Sequence, residues 1–118
     1  MGTYVVRRIL NNNAFVSVDA NGQEIVVMGK GIVFQKSGGD RIPCSRAEQV
    51  FQLSQENTSR FQELIARIPM NYMVLSEKII SMAEKNMNKT LDESIHITIT
   101  DHIYSAVQRY QRGLVLRN

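Results

Sequence analysis

Apolar and polar positions alternate with a period of two over residues 4–36, in runs too short to be helices. "YVVRRIL" sets apolar, β-branched residues around a basic pair, the cluster Asn11-Asn12-Asn13 reads as a turn, and "AFVSV" alternates again. Asn21-Gly22 in "DANGQ" is a strong hairpin signal, because an Asn-Gly pair accepts the positive φ of a tight reversal. "EIVVMGK" and "GIVFQK" complete the set. The pattern predicts four short strands in an antiparallel meander, ended by the turn-rich "SGGDRIP" at Pro43.

After the short apolar "VFQL" and the polar "SQENTS", the period changes. Phe61, Leu64, Ile65 and Ile68 fall at i, i+3, i+4 and i+7, one stripe of an amphipathic helix stopped by Pro69. "NYMVLSEKIISMAEKNM" predicts a second helix, with Met73, Ile80 and Met87 on its buried face. "TLDESIHITITDHIYSAVQRYQRG" fits two periods: Ile95, Ile97 and Ile99 alternate like a strand, whereas Ile95, Ile99, Ile103 and Val107 recur every fourth residue like a helix. Asp92 and Glu93 suit a helix start, Arg109 and Arg112 its last turn, and Gly113 a stop, so a third helix is expected.

The fold class expected is therefore α+β: a small antiparallel sheet followed by an all-helical module, with the boundary near residue 57. A sheet of about 55 residues is close to the lower limit for burying enough apolar surface, and one of its faces would stay uncovered. Dimerisation through that face is the expected remedy.

Composition narrows the function. Of 118 residues, 43% are hydrophobic and 21% charged, as in an ordinary globular protein. No apolar run approaches the roughly 18 residues of a membrane span, and "MGTYVVRRIL" has no secretory apolar core, so no membrane insertion and a cytoplasmic location are expected. Cys44 is the single cysteine, which excludes an internal disulfide and a cysteine-based metal cluster within one chain. The net charge of +3 permits a nucleic-acid partner without requiring one.

Gly29-Lys30-Gly31 is the first candidate for chemistry. A phosphate-binding P-loop needs a longer glycine-spaced loop that ends in Lys-Ser or Lys-Thr and opens a helix, and a dinucleotide fingerprint needs a third glycine and a helix. Neither pattern is present. What remains is a binding surface: asparagine amides that can read base edges, glycines that allow close approach, basic groups for phosphate, and Phe34 to stack on an unpaired base. Composition and spacing alone favour the plainer reading, in which these are ordinary turn residues and Phe34 is core.

His102 follows Asp101, and a carboxylate can orient an imidazole. His96 and His102 do not have the spacing of a same-face metal pair, and no serine or cysteine has a nucleophile motif. The expectation is a protein that is not an enzyme, with no catalytic residues, cofactor or metal.

Three stretches carry a resemblance: "ILNNNAFVSV", "GQEIVVMGKGIVFQK" and "SIHITITDHIYSAVQRYQRGL". Together they resemble the transcriptional antiterminators of the BglG/SacY/LicT family, which control sugar-utilisation operons in bacteria. The similarity covers nearly the whole chain, and its most specific parts are the triple-Asn turn, Met-Gly-Lys-Gly to Phe-Gln-Lys, and Thr-Asp-His. It implies that residues 1–57 form a co-antiterminator RNA-binding domain that dimerises face to face. Residues 58–118 would be the N-terminal part of the first phosphotransferase regulation domain.

By the same resemblance the homodimer grips an imperfectly paired hairpin in leader mRNA and holds it against an overlapping terminator, so that transcription reads through. The RNA contacts it implies are Arg8, Asn11, Asn12, Asn13, Gly29, Lys30, Gly31, Phe34, Gln35 and Lys36, with Asn13, Gly29 and Phe34 foremost. His102 matches the first regulatory histidine, phosphorylated by phosphotransferase system proteins, either HPr or a sugar-specific enzyme II. Added charge near a two-fold axis would loosen the dimer. His96 falls where a relative can carry tyrosine and receives no such role. Family members continue into further regulatory modules, whereas this chain ends at "RGLVLRN"; whether it is a fragment or an unusually short member, sugar-dependent control is expected to be incomplete or absent while RNA binding persists. Two other readings stand beside this one: a phosphoacceptor module that meets only proteins, and a plain dimerisation scaffold.

Overall fold

A computed structural model describes residues 2–117, with side chains up to residue 114. Met1 and Asn118, the outer ends of the two expected domains, lie outside the described residues. Six strands come first: β1 (Thr3–Val5), β2 (Arg8–Asn11), β3 (Ala14–Val18), β4 (Glu24–Met28), β5 (Arg41–Pro43) and β6 (Gln49–Phe51). Helices α1 (Gln55–Arg67), α2 (Met70–Met87) and α3 (Ile95–Arg117) follow. The fold class is α+β, as the sequence predicts.

The strands form two antiparallel sheets, one of order β2-β3-β4-β6 and a small one pairing β1 with β5. Phe15 lies opposite Val27 and Val16 opposite Val26, so the β3–β4 hairpin is in the register its alternation predicts. Gly22, at φ 81°, makes its turn. Phe15, Ile25 and Val27 point into a core shared with Val6, Ile32, Val33 and Ile42, and Tyr4 meets Phe15 edge-on at 6.5 Å between ring centres.

Residues 30–35 are not the fourth strand that "GIVFQK" suggests, but a series of turns. The amides of Ile32, Phe34 and Lys36 donate to the carbonyls of Gly29, Gly31 and Val33, each three residues back. Positive φ at Gly31 (63°) and Gln35 (61°) rolls the chain up. Ile32 and Val33 are consequently both buried, which a strand of period two would not allow, while Phe34 is 63% exposed.

The opposite face of the sheet is covered within the chain, by α1. Val26 pairs with Phe51, and the Phe51 ring meets Phe61 of α1 edge-on at 4.8 Å. The predicted stripe of Phe61, Leu64 and Ile65 is buried. The first compact unit accordingly runs Met1–Arg67, beyond the boundary expected near residue 57, and the second is Ile68–Asn118.

In the second unit Met73, Ser76 and Ile80 form the buried stripe of α2. Met87, expected on that face, is 49% exposed in the last position before the left-handed cap at Asn88. The double periodicity of residues 95–107 resolves as helix. Ile97 and Thr100 are its most buried positions, and Tyr104 of α3 meets Tyr72 of α2 edge-on at 5.0 Å. Asp92 accepts the Ser94 amide at 3.1 Å just before the helix, which suits the acidic start. Gly113 does not end α3, which continues to Arg117. Among the described residues no helix is long and apolar enough to cross a membrane.

Candidate nucleic-acid interface

The triple-Asn turn and the Gly-Lys-Gly turn are far apart in sequence and joined in space. The Asn13 carbonyl accepts the Gly29 amide at 2.9 Å, and Asn13 Oδ1 accepts the Gly31 amide at 2.7 Å. Val33 N–H donates to the Asn12 carbonyl at 3.2 Å, and Asn11 Oδ1 accepts the Asn13 amide at 2.7 Å. One turn therefore templates the other. The Lys30 amide, pointing the other way, donates to the Glu48 carboxylate at 2.8 Å.

The two glycines are required for different reasons. A Cβ on Gly29 would lie 2.7 Å from the Arg46 carbonyl oxygen, so backbone packs where a side chain would stand. Gly31 has open space around it but a φ of +63°, a conformation L side chains rarely adopt.

Exposure divides the expected contacts. Asn12, Lys30, Phe34, Gln35 and Lys36 are exposed, Asn11, Asn13 and Gly31 half-buried, and Gly29 buried. The side chains of Asn11 and Asn13 are occupied in building the turns: besides its bond to Asn13, Asn11 donates from Nδ2 to the Ile65 carbonyl of α1 at 2.8 Å. Arg8 stands apart from the turn pair. Its Nη2 donates to Gln62 Oε1 of α1, and its Nη1 lies 3.9 Å from the Glu24 carboxylate. Sequence reasoning missed Glu48 and Gln62, which are joined to Lys30 and Arg8 only by the fold, with no local signal.

His102 is exposed on α3 beside the exposed Asp101, though consecutive helical residues do not face each other. His96 is the histidine with the marked environment. Its Nδ1 is 2.6 Å from Glu77 Oε2 of α2, and that hydrogen bond raises the imidazole pKa above its ordinary value against the opposing effect of burial. Among the described residues, no group of three or more His, Cys, Asp or Glu could hold a metal ion.

An exposed ring, two exposed lysines and the exposed amides of Asn12 and Gln35 accompany close-packed glycine backbone, and a helical unit follows in the chain. Residues 4–60 match the CAT RNA binding domain and residues 77–118 match the PRD domain. The chain belongs to the CAT–PRD family of LicT- and BglG-type antiterminators. It is 42% identical over 114 residues to the transcription antiterminator LicT of Bacillus subtilis (strain 168), covering 96% of this chain and 41% of LicT. It is 35% identical over 114 residues to the beta-glucoside operon antiterminator of Dickeya chrysanthemi, covering 96% of this chain and 40% of that protein. The chain thus spans about two-fifths of the length of these curated relatives, which are named as antiterminators and not as enzymes. The crystal structure of GlcT CAT-PRDI superimposes with a TM-score of 0.70 at 31% identity, over 95% of this chain and 67% of that one.

Proposed function

We propose that this chain is a sequence-specific RNA-binding antiterminator that acts in the cytoplasm as a homodimer, without catalysis. In this reading it stabilises a leader mRNA hairpin against an overlapping terminator and so activates transcription of a sugar-utilisation operon. The observation that carries this reading is the Asn13 clamp, which fuses two turns into one surface presenting Asn12, Lys30, Phe34, Gln35 and Lys36.

Regular A-form RNA hides its bases in a deep, narrow groove, so a small module reads sequence where internal loops leave bases unstacked. Phe34 offers such a base a ring, Asn12 and Gln35 offer donors and acceptors, and Lys30 and Lys36 neutralise phosphate. Gly31, with open space around it, allows a base to approach the main chain, while Gly29 lets the turn pack closely against the Arg46 carbonyl. A two-fold dimer presents this surface twice, which suits a quasi-symmetric hairpin. Binding one RNA fold and not its competitor shifts their balance by about 1.4 kcal/mol for each factor of ten in affinity.

His102 is the proposed phosphoacceptor for HPr or a sugar-specific enzyme II, and its exposure on α3 supports access by a donor protein. The test is selection of hairpins from a random RNA pool with the dimer at physiological salt. Enrichment of imperfectly paired hairpins with a common internal loop is expected. Recovery of no enriched structure, together with phosphorylation at His102, would leave the protein-only signalling reading instead.

A further inference from the structure

Two of the residues assigned to RNA contact are held by α1, and this carries an inference about how that contact is controlled. It rests on the antiterminator reading above. We propose that Gln62 of α1 is a positioning residue that keeps Arg8 disengaged from RNA, so that the helix acts as a brake built into the first unit.

Gln62 is nearly fully buried, which is unusual for a glutamine, and both ends of its amide are used. Its Oε1 accepts from Arg8 Nη2. Its Nε2 donates to Glu24 Oε1 at 2.9 Å and to Thr58 Oγ1 at 3.3 Å. Glu24 in turn lies 3.9 Å from Arg8 Nη1. Gln62 and Glu24 therefore face the two terminal nitrogens of the guanidinium, the fork that would grip a phosphate in bidentate fashion. The Glu24 carboxylate beside it also repels an incoming phosphate.

Arg8 can bind RNA fully only by leaving this cradle. The ion pair is half-exposed on both sides and so weak, which makes the brake releasable. α1 itself is anchored by the buried Phe61, Leu64 and Ile65, so the helix stays docked when the Arg8 contact breaks. It is also the last element of the first unit, from which the chain passes into the second.

The experiment measures hairpin affinity and its salt dependence for the wild type, Gln62→Leu, Gln62→Glu, Arg8→Ala and the Arg8→Ala/Gln62→Leu pair, with far-UV circular dichroism and urea unfolding as fold controls. Leu and Glu match Gln in helix preference, and Leu keeps the buried volume. Gln62→Leu is expected to tighten binding about two- to fivefold and to steepen the salt slope by about 0.7 to 0.9, one phosphate contact. Gln62→Glu, which adds a second carboxylate to the cradle, is expected to weaken binding. The gain from Gln62→Leu is expected to vanish in the Arg8→Ala background.

Unchanged or weaker binding by a folded Gln62→Leu variant would overturn the brake, since Gln62 would then be packing or would hold Arg8 ready for RNA. So would a Gln62→Leu gain that persists undiminished in the Arg8→Ala background. Binding by none of the proteins, wild type included, would instead refute the RNA reading itself, and the brake with it.

Discussion

Asn13 Oδ1 accepts the backbone N–H of Gly31 at 2.7 Å, across 18 positions of sequence. Together with the Gly29 N–H to Asn13 carbonyl and Val33 N–H to Asn12 carbonyl bonds, it holds the asparagine turn against the glycine turn. Asn13→Ala leaves a half-buried amide without its acceptor and should cost about 1 to 2 kcal/mol of stability, read from urea unfolding. Asn13→Asp keeps the acceptor oxygen. It should hold stability close to wild type yet weaken hairpin binding, because it sets a negative charge beside the phosphates. Equal stability in all three proteins would mean that the clamp is not structural.

The two glycines of the turn should respond differently to the same substitution. Gly29→Ala drives a methyl to 2.7 Å from the Arg46 carbonyl and should cost about 1 to 3 kcal/mol as the backbone shifts. Gly31→Ala meets no atom and carries only left-handed strain, about 1 kcal/mol. Denaturant midpoints should fall in the order wild type, Gly31→Ala, Gly29→Ala. The reverse order would contradict the close approach at Gly29.

Phe34 should separate folding from binding. It is 63% exposed, so Phe34→Ala should change stability by no more than about 0.5 kcal/mol while weakening hairpin binding by about 1 to 3 kcal/mol if the ring stacks on a base. Lys36→Ala should reduce the salt slope by about 0.7 to 0.9 if its ammonium neutralises one phosphate. A Phe34→Ala protein that binds normally, or a Lys36→Ala protein with an unaltered slope, would remove that residue from the interface.

The sequence reveals elements better than it reveals the surface. Strands β3 and β4 and the helical stripe of α1 follow from local periodicity, which the fold obeys because each buries one side. Ile32-Val33-Phe34 misleads for a physical reason: three apolar residues after a glycine read as strand, but positive φ at Gly31 and Gln35 sends two inward and one outward. Met87 misleads because the helix ends there and its stripe with it. The residues of the interface are recognisable one by one through resemblance, but their union is not. Asn13 to Gly31 and Arg8 to Gln62 are contacts across 18 and 54 positions, which no window of local pattern contains.

His96 and Glu77 tie α3 to α2 through a bond of 2.6 Å, which gives the second unit a pH dependence of definite sign. The hydrogen bond to Glu77 raises the folded-state pKa of His96 above its ordinary 6.5, with smaller contributions in the same direction from the Glu77, Glu84 and Glu93 charges. A raised folded value means that the protonated pair stabilises fully below the unfolded pKa and that this is lost as pH rises through the folded one. Stability of the second unit should therefore decline as pH increases from about 6.5 upward, and Glu77→Gln should flatten that decline. Urea unfolding followed at the tyrosines across this range, with the His96 ring titrated by NMR, measures both quantities. A His96 that titrates at or below its ordinary value, or a Glu77→Gln protein with the same slope as the wild type, would show that the pair adds nothing to the packing of α2 on α3.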